Sequence, residues 1–330
     1  MNPLEWQNPT TVAEAVAAVG QGGVIKAGGL DLLDLMKEGI TSPPRLVNLR
    51  SVRGLDRIEP LAGGRGLGLG ATVTLARVGA DPEIKRRFRA LADAAGHAAT
   101  PQIRNVATVA GNLLQRPRCW YFRAEAFVCR RKGGTHCFAL DGENQYHAIF
   151  DNGLCAIVHP SALGTALVAL HATLLLTGAA GPREVALESI FIGPGTNVMR
   201  EHSLAPSDVI TEVRIADLPP GAASAYGKLG EKESFDWPLA EVACVIERSG
   251  GRCTRASVVL GAAAPTPHRA REAEAALAGQ PLTEEVARAA AKAAVRGATP
   301  LAHNGYKVPM FEALVRRTIL AAMNDREEAR

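Results

Sequence analysis

No run of about 18 apolar residues occurs in the chain, so it offers no candidate for a spanning helix. The N-terminus, Met1-Asn2-Pro3-Leu4-Glu5-Trp6, has no basic segment leading into an apolar one. The sequence therefore carries no export signal of its own, and the expected compartment is cytoplasmic. Export in complex with a signal-bearing partner would make it periplasmic. Charge is nearly balanced, with 37 Lys and Arg against 33 Asp and Glu. A net charge of +4 gives no basis for nucleic-acid binding. Neither G-x-G-x-x-G nor a Walker loop is present, which weakens the Rossmann and NTPase readings. Internal repeats and low-complexity tracts are also missing. Cysteine is scarce, six in 330 residues, and four of the six fall between Cys119 and Cys155.

What is present reads as an α/β chain of two or three structural units, with 47% hydrophobic residues to build cores. Thr10 to Val19 predicts a helix capped by Thr10 or Thr11. Val24 to Ala27 predicts a strand that runs through Gly28-Gly29 into a helix from Leu30. Strands are expected at Leu46–Leu49 and Gly66–Ala71, then a short helix from Val73 and one long helix from Asp81 to Ala98. A helix from Leu163 to Leu170 precedes strands near Thr173–Leu176 and Val209–Ile215. Pro219-Pro220-Gly221 is the best domain boundary. Beyond it, strands at Ala225–Leu229, Ala240–Glu247 and Ala256–Leu260 precede helices at Ala270–Leu277, Thr283–Val295 and Pro309–Met323. Asn324 to Arg330 reads as a frayed tail.

The cysteines follow the pattern C-x9-C-x7-C-x17-C, through Cys119, Cys129, Cys137 and Cys155. Four soft thiolates suit an iron–sulfur cluster, and a long loop would have to wrap it. A structural zinc uses the same ligands, more often in close pairs. Disulfides or free thiols remain open, although a chain of this size does not need bridges to fold. The cluster is the leading reading. Arg116, Arg118, Arg123, Arg130, Arg131 and Lys132 are either a field favouring an anionic cluster or a solvated basic face. Trp120, Tyr121, Phe122 and Phe127 are either packing around it or a partner surface. His136, His147 and His159 are read as surface or hydrogen-bonding residues. Cys244, in an apolar run, reads as a buried strand residue, and Cys253 receives no role.

Two loops could hold a phosphate. Lys26-Ala27-Gly28-Gly29-Leu30-Asp31-Leu32 joins a strand, a glycine pair and a helix start, where backbone N–H groups can meet an anion. Thr100 to Asn112 offers threonine hydroxyls, an asparagine and small residues. Alone, the glycine pair reads better as a plain turn, and the second stretch equally well as a tight loop between helix and strand; two in one unit shift the balance toward a dinucleotide.

Ala27-Gly28-Gly29-Leu30-Asp31-Leu32-Leu33, Gly70-Ala71-Thr72-Val73-Thr74 and Gln102 through Asn112 occur in an order and spacing that resembles the FAD-binding medium subunit of the xanthine oxidase family of molybdenum hydroxylases. The resemblance extends over the chain, through Tyr226-Gly227-Lys228 and Ser234-Phe235-Asp236-Trp237-Pro238-Leu239 to the C-terminal helices. It implies an α+β fold: a vanillyl-alcohol-oxidase-type, two-lobed FAD-binding domain followed by a small antiparallel sheet with a C-terminal helix group. The implied domains are 1–220, with lobes of about 1–55 and 56–220, and 221–330. The resemblance implies FAD contacts from Ile25, Lys26, Ala27, Gly28, Gly29, Leu30, Asp31 and Leu32, and from Thr108, Gly111 and Asn112. Ile210 and Lys228 would line the flavin, with Thr74 an addition. Leu30 stands where the family has Thr, and Ala162 lacks a carboxylate found there, so one flavin hydrogen bond would be missing.

Members carrying the cysteine window resemble the FAD/[4Fe-4S] subunits of bacterial heterotrimeric aldehyde oxidoreductases, or of 4-hydroxybenzoyl-CoA reductases. Gly111 to Arg116, Cys119 to Arg123 and the long last spacing look closer to the aldehyde type. The inserted loop would be about 115–158. The implied function is electron transfer from a large molybdenum-cofactor partner and a small [2Fe-2S] partner, through FAD, to an external acceptor. No residue here need be catalytic toward substrate. Alternatives are a subunit of a 4-hydroxybenzoyl-CoA reductase-type or xanthine dehydrogenase-type enzyme, a stand-alone flavoenzyme with structural zinc, or a scaffold that has lost flavin.

Overall fold

The structure is a computed structural model that describes residues 3–232 and 235–324. Ser234 of the motif above and the expected frayed tail beyond Asn324 lie outside the described residues. Strands β1 (Glu5–Gln7), β2 (Val24–Lys26) and β3 (Arg45–Asn48) form a parallel sheet in the order β1-β3-β2. Parallel neighbours need crossovers, and helices α1 (Val12–Gly20) and α2 (Leu30–Lys37) provide them. The Thr11 hydroxyl caps α1 by accepting from the Glu14 N–H, and Ala15, Ala18 and Val19 form the buried stripe.

A second, antiparallel sheet has the order β4-β5-β8-β6-β7, from Ile58–Pro60, Gly66–Gly70, Val209–Ala216, Thr173–Gly178 and Gly181–Ala186 respectively. The chain between β5 and β6 carries α3 (Leu75–Ala80), α4 (Pro82–Arg87), α5 (Arg89–Gly96), α6 (Pro101–Val106), α7 (Val109–Leu113), α8 (Trp120–Arg123) and α9 (Ala162–Ala169); α10 (Leu187–Ile190) follows β7. Two expectations are corrected here. The single helix over Asp81–Ala98 is broken at Phe88, whose φ of −138° and ψ of 57° let its ring drop into the core while α4 and α5 diverge. The stretch Thr100–Asn112 is two capped helical turns rather than a loop. Thr100 accepts from Ile103 N–H with Pro101 in the first turn, and Thr108 accepts from Gly111 N–H.

The third sheet is antiparallel, β12-β11-β10-β9, from His268–Arg269, Arg252–Gly261, Ala240–Ser249 and Ala223–Leu229. Helices α11 (Arg271–Leu277), α12 (Glu284–Ala294) and α13 (Lys307–Asn324) cover it. The last begins two residues ahead of the expected Pro309. Every residue of α9 is buried, and this helix packs on β10 and β11, fusing the third sheet to the rest. Cys244 and Cys253 are both buried in this unit. Among the described residues no helix is long and apolar enough to cross a membrane.

Candidate functional site

One cleft of about 760 Å³ opens between the three sheets. That lies within the range of roughly 300–1,000 Å³ in which cofactor sites fall. Its lining comes from the glycine loop (Ile25, Lys26, Ala27, Gly28, Gly29, Leu30, Asp31, Leu32), from Thr108, Gly111 and Asn112, from Ile210 on β8 and from Lys228 on β9. The structure thus brings together all the expected cofactor residues except Thr74. The Thr74 hydroxyl instead caps α3 through Arg77 N–H, and its backbone bridges to Thr108.

The glycine loop owes its shape to two different constraints. Gly29 is the N-cap of α2 with φ of +85°, a left-handed conformation that a side chain disfavours. Gly28 is needed for close packing: a Cβ there would stand 2.4 Å from the Val106 carbonyl oxygen. The first N–H groups of α2 have no intrahelical partner and carry the positive end of the helix dipole. Gly29 to Leu32 place that end on the cleft. A dinucleotide diphosphate matches such a cradle. The Asn112 side-chain oxygen accepts from Ser161 Oγ at 2.7 Å, which fixes the amide at the edge of the cleft. His202, with its Nδ1 buried and unpartnered, also lines the cleft.

Asp31, which lines the cleft, also holds the loop in place. Its carboxylate accepts from Arg123 at 2.7 Å, from Arg118 at 2.9 Å and from the Arg116 N–H at 2.8 Å. Helix α2 is thereby riveted to the cysteine loop. Asp31→Ala is expected to lower the unfolding free energy by about 1–2 kcal/mol, because Arg118 and Arg123 lose one of the two carboxylates they share and keep only Asp34. Denaturant titration of the cofactor-loaded protein measures this. A loss below about 0.5 kcal/mol would mean that the network contributes no more than a surface pair.

The four cysteines line one small enclosed cavity, together with Tyr121, Phe122, Phe138, His147 and Arg131. Cys129, Cys137 and Cys155 are buried, and all six cysteines of the chain are free thiols. A hydrogen bond from Cys137 holds the Cys155 thiol well below its usual range, at about 6, while the same contact pushes Cys137 up. Burial raises Cys119 to about 11. His147 Nε2 lies 3.2 Å from Cys119 Sγ. Among the described residues, no three His, Cys, Asp or Glu side chains are gathered as on a single metal ion. A zinc draws its thiolates to about 2.3 Å from one point, whereas a polynuclear cluster spreads them around a larger body.

The surroundings correct the picture of a solvated basic face. Arg131 is buried and donates to Glu201 at 2.7 Å, Arg116 pairs with the same carboxylate, and Arg118 and Arg123 hold Asp31 and Asp34. The aromatics pack inward: Phe122 is buried, while Tyr121, Phe127 and Phe138 contact one another at 5.0–6.0 Å between centroids. His136 is exposed and pairs with Asp141, whereas His147 and His159 are buried.

Several lining residues had no expected contact with the cofactor: Arg118, Arg200, His202, Trp237 and Glu241. Arg118 stacks on Trp237 at 4.8 Å to the ring centroid. Glu241 had a legible signal, a lone acid within the apolar run Leu239–Ile246.

Residues 2–217 match the family described as FAD binding domain in molybdopterin dehydrogenase. Residues 224–322 match that described as CO dehydrogenase flavoprotein C-terminal domain. The chain is 33% identical to the aldehyde oxidoreductase FAD-binding subunit PaoB of Escherichia coli, with 98% of each chain covered. It is 28% identical to the carbon monoxide dehydrogenase medium chain of Hydrogenophaga pseudoflava, over 97% of this chain and 96% of that one. A solved carbon monoxide dehydrogenase from Hydrogenophaga pseudoflava, lacking the Mo-pyranopterin moiety of the molybdenum cofactor, aligns with a TM-score of 0.76 and 29% identity over 97% of both chains.

Proposed function

The chain belongs to the FAD-binding subunits of the molybdenum hydroxylase family, and on that premise we propose that it is the FAD and [4Fe-4S] electron-transfer subunit of an aldehyde oxidoreductase. The observation that carries the proposal is the pairing, in one chain, of a dinucleotide-sized cleft with a second cavity ringed by four thiols. Likeness to an aldehyde oxidoreductase subunit favours that substrate class over the carbon monoxide of other relatives. Residues 1–220 would form the FAD domain, with the cysteine loop inserted at about 115–158 and 221–330 as the C-terminal domain.

Bound FAD would supply the means of exchanging electrons one or two at a time between clusters and a two-electron acceptor. Gly29 to Leu32 would present unpaired N–H groups to its diphosphate, and Gly111 would leave room beside them. Ile210 would pack on the ring system, and Lys228 would place a cation near it. Burial lowers the Lys228 pKa, and its Nζ donates to the His97 carbonyl at 3.0 Å, so its position is fixed. Cys119, Cys129, Cys137 and Cys155 would hold the cluster as thiolates.

Substrate oxidation would take place on a large molybdenum-cofactor partner, and a small [2Fe-2S] partner would relay electrons to this chain and on to an external acceptor. Expressed alone, the chain should bind FAD and turn over no aldehyde. Co-expressed with its partners, it should elute as a heterotrimer that oxidises aldehydes. Aldehyde turnover by the isolated chain without molybdenum would overturn the reading.

A further inference from the structure

Neither the packing of the fold nor the cofactor cradle accounts for Glu241. It is 2% exposed, stands second in β10 ahead of the apolar run Val242–Ile246, and still lines the cleft. Burying a carboxylate is expensive unless strong partners surround it, and here, among the described residues, no arginine or fully committed lysine pairs with it. Lys228 on β9 is its partner in register, but the ammonium donates to the His97 carbonyl. Tyr226, two residues earlier on β9, turns its buried hydroxyl toward Glu241. From α9, Thr165 Oγ1 gives one long contact of 3.5 Å. On β11, Gly261 sits opposite in register, and a Cβ there would come within 2.4 Å of the carboxylate oxygen. The glycine is what makes room for the acid.

Other charged groups act at one remove. Asp236 and Arg104 bear on Lys228, and Asp93 on Tyr226. Burial pushes the Glu241 carboxyl up to about 7, against the opposing pull of Tyr226, Lys228 and Thr165. A carboxyl in that range can take or release a proton at neutral pH.

We propose that Glu241 is a proton-exchanging residue of the flavin site, taking up one proton when electrons enter the cofactor held in this cleft and returning it when they leave. The inference rests on the reading of the cleft as the FAD site. The electrons come from substrate oxidation on the molybdenum partner and leave to the acceptor. The proton comes from bulk water, forms one O–H bond on the carboxylate and goes back to water on reoxidation. The driving force is electrostatic: negative charge arriving in a low-dielectric cleft raises the proton affinity of a nearby carboxylate.

The test uses the FAD-loaded protein with chemical reductant. The flavin midpoint potential is titrated between about pH 5.5 and about pH 9 in wild type and in Glu241→Gln, spanning the neutral region where the carboxyl titrates. Wild type should show a bend near neutrality that the variant lacks. The two potentials should agree at low pH, where both side chains are neutral, and wild type should fall below the variant at high pH, where the carboxylate opposes added electrons. In infrared difference spectra, reduction of wild type should add a protonated-carboxyl C=O band that is missing in Glu241→Gln. Stoichiometric FAD with the same bend in the variant overturns the inference and leaves the FAD reading standing. Should the variant not fold, a wild-type spectrum without the carboxyl band overturns it equally. A wild-type chain that binds no FAD overturns both.

Discussion

Replacing Cys137 and Cys155 together with alanine is expected to take the protein from about four irons per chain to nearly none while FAD stays bound. These two thiols share a hydrogen bond and face the same cavity, so losing both leaves half a ligand set. A single replacement at Cys119 would be less informative, because His147 Nε2 is 3.2 Å from that sulfur and could stand in. Alanine suits the buried, largely apolar positions better than serine, which would leave a hydroxyl without a partner. No cysteine lines the FAD cleft, so flavin occupancy should fall less than about twofold. Iron, sulfide, zinc and released FAD are measured on the same sample. Wild-type protein with one zinc per chain and no iron would sink the cluster assignment, and unchanged iron in the double variant would remove these two residues from the ligand set.

The fold was legible where local chemistry dictates it. Thr11 and Thr283 cap the helices that they were expected to start, and the apolar runs of β6, β8, β10 and β11 are strands. It was misread where tertiary packing overrules local preference. Asp81 to Ala98 is helical in composition, but the helix stops at Phe88, whose ring is fully buried in the core. Thr100-Pro101 and Thr108 carried cap signals that the loop reading passed over. Strands β1 and β4 span three residues each, too short for alternation to show.

The site divides in the same way. Its glycine loop and the Thr108–Asn112 turn were recognisable because each is a contiguous run. The ion pairs that hold the cysteine loop join Asp31 to Arg123 and Arg116 to Glu201 across most of a domain, and no local pattern announces them. The same holds for the aromatic residues near Cys119, whose inward packing on Phe138 gives them a use other than a partner surface. Glu241 meets Lys228 only through the register of β9 and β10.

Gly111→Leu should weaken FAD binding by on the order of 100-fold or more, about 3 kcal/mol, in a protein that remains folded. The choice of position follows from the glycine environments. Gly28→Val would drive a side chain into the Val106 carbonyl, so flavin loss there would report a damaged backbone as readily as a blocked site. At Gly111 the only close neighbour of a new Cβ is Thr108 Oγ1 at 2.8 Å, and the residue is exposed on the cleft. The fold would lose part of the Thr108 cap, about 1 kcal/mol, and recover roughly 0.5–1 kcal/mol from replacing a helical glycine. The two nearly cancel, so the melting temperature of the flavin-free protein should move by only a few degrees. The leucine side chain, with nothing behind it, would occupy the space beside the α2 N-terminus that the diphosphate needs. Flavin fluorescence titration of apo-protein, wild type against variant, reads the affinity directly, and circular dichroism confirms the fold. Full affinity in a folded Gly111→Leu protein would move the diphosphate away from this turn. Loss of FAD with an unchanged melting temperature would put it there.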